Sequence, residues 1–392
     1  MKKLFIRKKR KNESYLKYLI ALFHLWLGLL SSIIIFIVCL TGSIYAFKNQ
    51  LLDSFSDDFT LETNSAKTTP LQKSITLFSK EFEPPTSIWV KENSIEISSY
   101  AKNNLGSHAY FNANTGEIVR IQNSKLTYFF EIILEIHRYL LVEEPGKLIV
   151  GISVLFFAYL LISGFIMWLP KRLKALKSVL TINFKLKIKR INYDLHRVLG
   201  FYALLPLLLI AITGLYVSFH WFKQLNIQAL GGPSIAINQS NIGNNGLSKD
   251  IADAFNAAFD DLVETEKDQP IKTINELLEI AKDGLPEYSH VQIIYPFANS
   301  GYYSFKFYRK GLCSLAVYDH VKINQFGEVN KINLFSELDL YKQYMLIVKP
   351  LHTGEIFGIT SIIIYFLMSL IGCSLPITGF IIWYNKVVKL KK

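Results

Sequence analysis

Four long apolar stretches constrain this 392-residue chain more than any other feature. They run over Tyr18–Phe47, Leu148–Leu169, Val198–Phe222 and Ile356–Tyr384, the last approached from residue 353. A helix needs about 20 apolar residues to cross the hydrocarbon core of a bilayer. Backbone polar groups there must pair within the segment, so such stretches fold as helices. The first outruns the apolar region of a cleaved leader and has no small-x-small site after it, so it is expected to stay as a span. Trp168, Trp221, Trp383 and Tyr384 fall at segment ends, where amphipathic aromatics anchor helices. With 51% hydrophobic residues the chain is neither an ordinary soluble enzyme nor a disordered one.

A net charge of +12 suggests nucleic acid until it is placed along the chain. Residues 1–17, 170–197 and 385–392 hold 21 Lys/Arg against two acids, a balance of +19. Everything else holds 22 basic and 29 acidic residues, a balance of −7. Short basic segments stay on the cytoplasmic side of a membrane. Both termini and the 170–197 loop are therefore expected inside. The polar segments 48–147 and 223–352 are expected outside, and no nucleic-acid partner is expected. Spans 18–47, 148–169, 198–222 and 353–384 satisfy this alternation. Cys39 and Cys373 lie in spans, Cys313 stands alone outside, and no C-x-x-C pair exists for zinc, thiol redox or covalent haem.

The chain is also a duplication, dividing near residue 185. Span 1 reads His24-x3-Gly28-x12-Thr41-Gly42 and span 3 reads His196-x3-Gly200-x12-Thr213-Gly214. Span 2 with its approach reads His137-x25-Ser163-Gly164, and span 4 reads His352-x25-Thr378-Gly379. The outer segments repeat as well. Leu71–Phe82 and Thr273–Lys282 have helical periodicity. Strand-like runs follow at Ile88–Val90, Ile95–Ser99 and Ala109–Val119, and at Val291–Tyr295, Tyr302–Tyr308 and Leu315–Val321. The Asn/Gly-rich stretch 238–247 reads as a loop. The fold class is thus a membrane α-helical protein: four transmembrane helices in two tandem-repeated halves, with two small outer α+β domains.

This ordered set resembles a known family. The matching residues are His24 with Thr41-Gly42, Ile136-His137-Arg138, Asp194-Leu195-His196-Arg197 with Gly200, and Leu351-His352-Thr353-Gly354-Glu355. The turns Thr115-Gly116-Glu117 and Phe326-Gly327-Glu328 belong with them. The chain is similar to the PepSY-associated transmembrane family, often called iron-regulated membrane proteins. That resemblance implies PepSY-like outer domains in the periplasm of a bacterial inner membrane. It also implies a haem-containing reductase of ferric siderophores. Many members carry Arg after the first-span His, where this chain has Leu25.

Ionisable side chains in spans are costly and mark function. His24, His196, His137 and His352, repeated at equal spacing, fit axial ligation of two non-covalent b-type haems, each with two imidazole ligands. A pseudo-twofold axis along the membrane normal pairs His24 with His196 and His137 with His352. Glu143–Gly146 interrupts the first half, so the chain is expected to turn there and lower His137. No comparable break is expected after His352, which would leave it at headgroup level. The span glycines allow close approach of helices or of a flat macrocycle. Arg138 and Arg197 are candidate partners of haem propionates. His220 is a possible further residue on the outer side. His108, His290 and His320 read as ordinary surface residues.

No G-x-G-x-x-G fingerprint and no P-loop is present, so the electron donor is expected to be separate, a quinol or a cytoplasmic reductase. The expected activity is transfer of electrons to a periplasmic ferric chelate such as a ferric siderophore. Two alternatives stand beside it. One is a non-enzymatic sensor or regulator of periplasmic proteases. The other is an accessory subunit of iron uptake whose histidines bind metal directly.

Overall fold

The computed structural model of the protein describes residues 9, 13–55, 57–58, 69–99, 107–170, 176–233, 270–296, 301–311, 313–314 and 316–391. The loop read at 238–247 and Leu315 lie outside the described residues. Among the described residues, three helices are long and apolar enough to cross a membrane: α1 (Tyr15–Tyr45), α5 (Glu143–Trp168) and α12 (Ile359–Lys391). The fourth candidate is a bent pair, α7 (Ile188–Tyr202) and α8 (Leu204–Ser218), at 62° to one another. The third span is therefore two helices and not the single segment 198–222. Pro206 explains the bend at Ala203: it has no N–H for the carbonyl one turn back, and its ring crowds that carbonyl. The chain is a multi-pass membrane protein with three to four membrane helices. Ile35, Phe157, Leu161, Leu207 and Leu375 make the apolar centre of the bundle.

Each half adds a helix that approaches the bundle before its second span. The first half has α4 (Ser124–Tyr139) and the second has α11 (Leu340–Thr353). After α4 the chain turns through Leu140, Leu141 and Glu143, at φ 52°, 60° and 51°. The expected break near Glu143 is present. The second half also breaks, contrary to expectation: Gly354 (φ 82°) and Gly358 (φ 66°) flank a single 3-10 turn before α12. Glycine takes positive φ at little cost, so His352 sits on a separate helix just as His137 does.

Beyond the bundle, the two outer α+β units share one nine-stranded antiparallel sheet. The first unit gives β1 (Asp57–Asp58), β2 (Ser87–Val90), β3 (Ser94–Ser98), β4 (His108–Asn112) and β5 (Ile118–Ile121). The second gives β6 (Tyr288–Ile294), β7 (Tyr302–Arg309), β8 (Tyr318–Asn324) and β9 (Val329–Asn333). The order is β1-β5-β4-β3-β2-β6-β7-β8-β9. The two units join where β2 pairs with β6, Ser87 opposite Ile294 and Val90 opposite Val291.

One face of the sheet is apolar. Ile88, Ile97, Phe111, Ile293, Phe305 and Val321 pack there under α3 (Pro70–Glu81) and α10 (Ile274–Ala281). The other face is polar and looks toward the bundle. Tyr110 donates to Asp53 of α2 (Lys48–Ser54) at 2.7 Å, and Tyr318 packs on Leu346 of α11. This second cover corrects the expectation for two histidines. His290 and His320 are not surface residues but 8% and 2% exposed. Trp168 is likewise no interfacial anchor: it is buried, stacked 3.8 Å from Phe201, with its indole donating to Val179 O.

Candidate functional site

The repeated Ser/Thr-Gly dipeptides are cradles for the repeated histidines. His24 lies on Ser163-Gly164 of α5, and His137 lies on Thr41-Gly42 of α1. In the second half His196 lies on Thr378-Gly379 of α12, and His352 on Thr213-Gly214 of α8. In each case a hydroxyl meets the ring nitrogen Nδ1, at 2.8, 3.1, 2.9 and 3.1 Å in that order. The glycine lets the ring lie against backbone. A Cβ would stand 3.4 Å from His24 Cε1, 3.1 Å from His137, 3.2 Å from His196 and 2.9 Å from His352. The other span glycines are ordinary packing: a Cβ at Gly28 or Gly200 would meet only leucine methyls, at 3.7 and 3.6 Å.

The hydrogen bonds also fix the tautomer. Each hydroxyl gives its proton to a carbonyl of its own helix. Thr41 donates to Ile37 O, Thr213 to Leu209 O, Thr378 to Ser374 O and Ser163 to Leu160 O. The hydroxyl can then only accept from the ring, so Nδ1 carries the hydrogen. Two histidines show it twice over. His137 Nδ1 also donates to Val38 O at 3.0 Å, and His352 Nδ1 to Ile210 O at 3.1 Å, and a carbonyl has no proton to give. With the proton on Nδ1, the lone pair is on Nε2, the atom a metal binds. Among the described residues none of the four Nε2 atoms has a hydrogen-bond partner. All four rings remain partly exposed rather than sealed.

The rings come together in two pairs. His24 and His196 have ring centres 6.5 Å apart with planes at 86°. His137 and His352 have ring centres 6.4 Å apart with planes at 52°. The sequence pairing is the pairing in space. Metal–imidazole bonds of about 2 Å place two rings on one metal atom about 6 Å apart, centre to centre. Both separations match. The His137/His352 pair lies at the sheet end of the bundle, and the other lies about 26 Å away along α1, 17 residues at the helical rise.

The remaining candidates divide. Arg138 rests on the Tyr139 ring at 4.7 Å beside His137 and makes no ion pair among the described residues. Arg197 is engaged, donating to Asp194 Oδ1 at 3.0 Å and to Ser178 O at 2.5 Å. Buried Asp194, also held by Arg190, fixes α7 two residues from His196. His220 joins neither pair; it is exposed at the start of α9 (His220–Ala229), in a cleft with Glu144, Lys147 and Ser218. The four hydroxyls are the residues that reasoning from sequence missed. Their signal was present, since a Ser or Thr precedes each repeated glycine.

A duplicated bundle with two pairs of imidazoles under a shared antiparallel sheet defines a multi-pass membrane protein. The chain belongs to the family described as the PepSY-associated TM region, whose model matches residues 21–386. No curated protein matches it.

Proposed function

We propose that this chain is a di-haem electron-transfer protein of a bacterial inner membrane, passing electrons to a ferric chelate in the periplasm. The observation that carries it is the set of four imidazoles held as Nδ1–H tautomers, with Nε2 free and ring centres paired at 6.4 and 6.5 Å. His24 and His196 would hold one haem, and His137 and His352 the other. A haem iron with two imidazole ligands gains and gives back one electron while leaving no position open for oxygen.

The protein's own residues do the rest. Ser163, Thr41, Thr378 and Thr213 orient the ligands and raise their basicity by accepting from Nδ1. The adjoining glycines set ring depth. Arg138, which makes no ion pair among the described residues, would meet a propionate near His137. The charge asymmetry supports a cytoplasmic His24/His196 end with both termini, and a periplasmic sheet. Electrons would come from a quinol or a cytoplasmic reductase. The acceptor would be a ferric siderophore or similar chelate, and reduction would release iron.

Direct metal binding by the histidines, the uptake-subunit alternative, has less support. Among the described residues no three His, Cys, Asp or Glu side chains converge on a point.

The test is the optical spectrum and haem content of the purified full-length protein, with His24, His137, His196 and His352 each changed to Ala. Two haems per chain are expected in the parent. Each single change is expected to remove or alter one of them. A parent protein without haem absorbance would sink the proposal and favour the protease-regulator alternative.

A further inference from the structure

The halves pack through two equivalent seams that have diverged at the sheet end. In one seam α1 meets α12, and in the other α8 meets α5. Phe47 stands just before α2 and Phe219 just before α9, and counted from the repeated histidines they are equivalent. By the same count Phe366 of α12 corresponds to Gly151 of α5. In the first seam the rings of Phe47 and Phe366 meet at 5.2 Å. In the second a Cβ at Gly151 would run into Phe219 Cζ, so that ring lies directly against α5 backbone. The neighbouring positions change with it. Ile359, Ile362 and Ile363 of the first seam correspond to Glu144, Lys147 and Leu148 of the second.

A cleft of about 560 Å³ lies beside Phe219, lined by Glu144, Lys147, Leu148, Ser218, Phe219 and His220. Its walls differ in polarity. Leu148 and the adjoining Ile149 are apolar and 58% and 46% exposed, as side chains facing hydrocarbon are. Trp221, next to His220, is half exposed, the placement of an interfacial anchor. The polar wall is rich in donors. Lys147 donates to Glu144 at 3.3 Å, a surface pair within one helical turn that adds little and opens easily. The side chains of Ser218 and His220 make no hydrogen bond among the described residues. Both α5 and α9 begin at the cleft without a side-chain cap, so their first backbone N–H groups add to the donors. A phosphate suits Lys147 and these donors, an ammonium suits Glu144, and an acyl chain suits Leu148 and Phe219.

We propose that this cleft holds the headgroup of one phosphatidylethanolamine molecule from the surrounding leaflet, a structural lipid that ties α5 to the junction of α8 and α9. Lys147 takes the phosphate and Glu144 the ammonium, each leaving the other for the lipid. The start of α5 is pressed against the end of α4, since a Cβ at Gly146 would collide with Tyr139 O. The bound lipid therefore braces the helix that carries His137. The site stands whether or not the chain carries haem.

The probes are phosphatidylethanolamine, phosphatidylglycerol and phosphatidylcholine of matched chains, added singly to the full-length protein stripped of lipid in detergent. Native mass spectrometry counts the lipids retained, and thermal unfolding reads the stability they add. The parent is expected to retain one phosphatidylethanolamine in preference to the other two, with a raised midpoint. Lys147→Gln should weaken retention by about tenfold, as loss of a charge-assisted contact does. Lys147→Arg should keep the lipid, and an unchanged lipid-free midpoint shows that each variant folds. Glu144→Gln should erase the preference over phosphatidylglycerol. Lys310→Gln, on an exposed lysine paired with Glu287 in the sheet, should change nothing. No preferred lipid on the parent, or equal retention by parent and Lys147→Gln, overturns the site. Competition by glycerophosphoethanolamine as strong as by the whole lipid overturns the membrane source. A short-chain quinone retained in place of the lipid, and lost in Lys147→Gln, overturns the proposal by assigning the cleft to a quinone.

Discussion

Gly214→Ala is the sharpest test of the histidine cradles. The new Cβ would stand 2.9 Å from His352 Cε1, half an ångström inside the 3.4 Å at which ordinary contact begins. The ring cannot swing freely, because Nδ1 is tied to Thr213 and to Ile210 O. It must move by about 0.5 Å, which is the tolerance of a functional constellation. The helix does not suffer, since Ala in place of an interior Gly favours it by up to about 1 kcal/mol. Haem content should fall from two toward one per chain while the thermal midpoint holds or rises. The other cradles grade the effect: Gly42→Ala at 3.1 Å next, Gly379→Ala at 3.2 Å after it, and Gly164→Ala at 3.4 Å nearly silent. The assay is haem per polypeptide with the reduced-minus-oxidised spectrum of each variant. Full haem with an unshifted spectrum in Gly214→Ala, or Gly164→Ala as the most damaging change, would refute the assignment of these glycines.

Three further outcomes are expected. Ser163→Ala leaves His24 Nδ1 without its bonded acceptor and should cost roughly 1–3 kcal/mol, whereas Thr41→Val should cost less because His137 keeps Val38 O; chemical denaturation of both variants gives the comparison. Leu141→Gly should stabilise the protein by roughly 0.5–1 kcal/mol, since Leu141 is 63% exposed and sits at φ 60°, where a side chain is strained; a lower thermal midpoint would contradict it. His290 is buried with its pKa brought down to about 4, so the unfolded chain binds its proton first on acidification. Its contribution is then full above pH 6.5, is lost as pH falls from 6.5 toward 4, and levels off below, a change of about 3 kcal/mol that His290→Gln should flatten in a stability-against-pH profile.

Periodicity and spacing carried the spans, the duplication and the histidine pairing, because each is a property of one segment or of its copy. The cradles were harder to read. His137 lies 96 residues from Thr41, and nothing local states that they touch. The repeated dipeptide showed that Thr41-Gly42 mattered but left open whether it served a helix, a macrocycle or a ring. The break after His352 lies in Gly354 and Gly358, at φ 82° and 66°, and two glycines beside an apolar run do not by themselves announce a turn. The fusion of the two outer units at β2 and β6 depends on two edges meeting, which no pattern within either strand reveals. Buried His290 and His320 misled for the same reason, since polar alternation marks a solvated face only until another part of the chain covers it.

The contacts explain why the chain needs both copies. Every cradle lies within one half: His24 and His137 rest on Ser163 and Thr41, and His196 and His352 rest on Thr378 and Thr213. Every pair lies between halves: His24 meets His196, and His137 meets His352. One half alone therefore orients two imidazoles and completes no site. The β2–β6 ladder aligns the halves at one end, and packing of α1 on α12 and α5 on α8 aligns them through the bundle. A change at either seam should leave all four cradles intact and still disturb both pairs. Equivalence also leaves each copy free to diverge where no pair needs it. The sheet has used that freedom, keeping Glu96 near His108 in one half and placing Lys306 opposite His320 in the other.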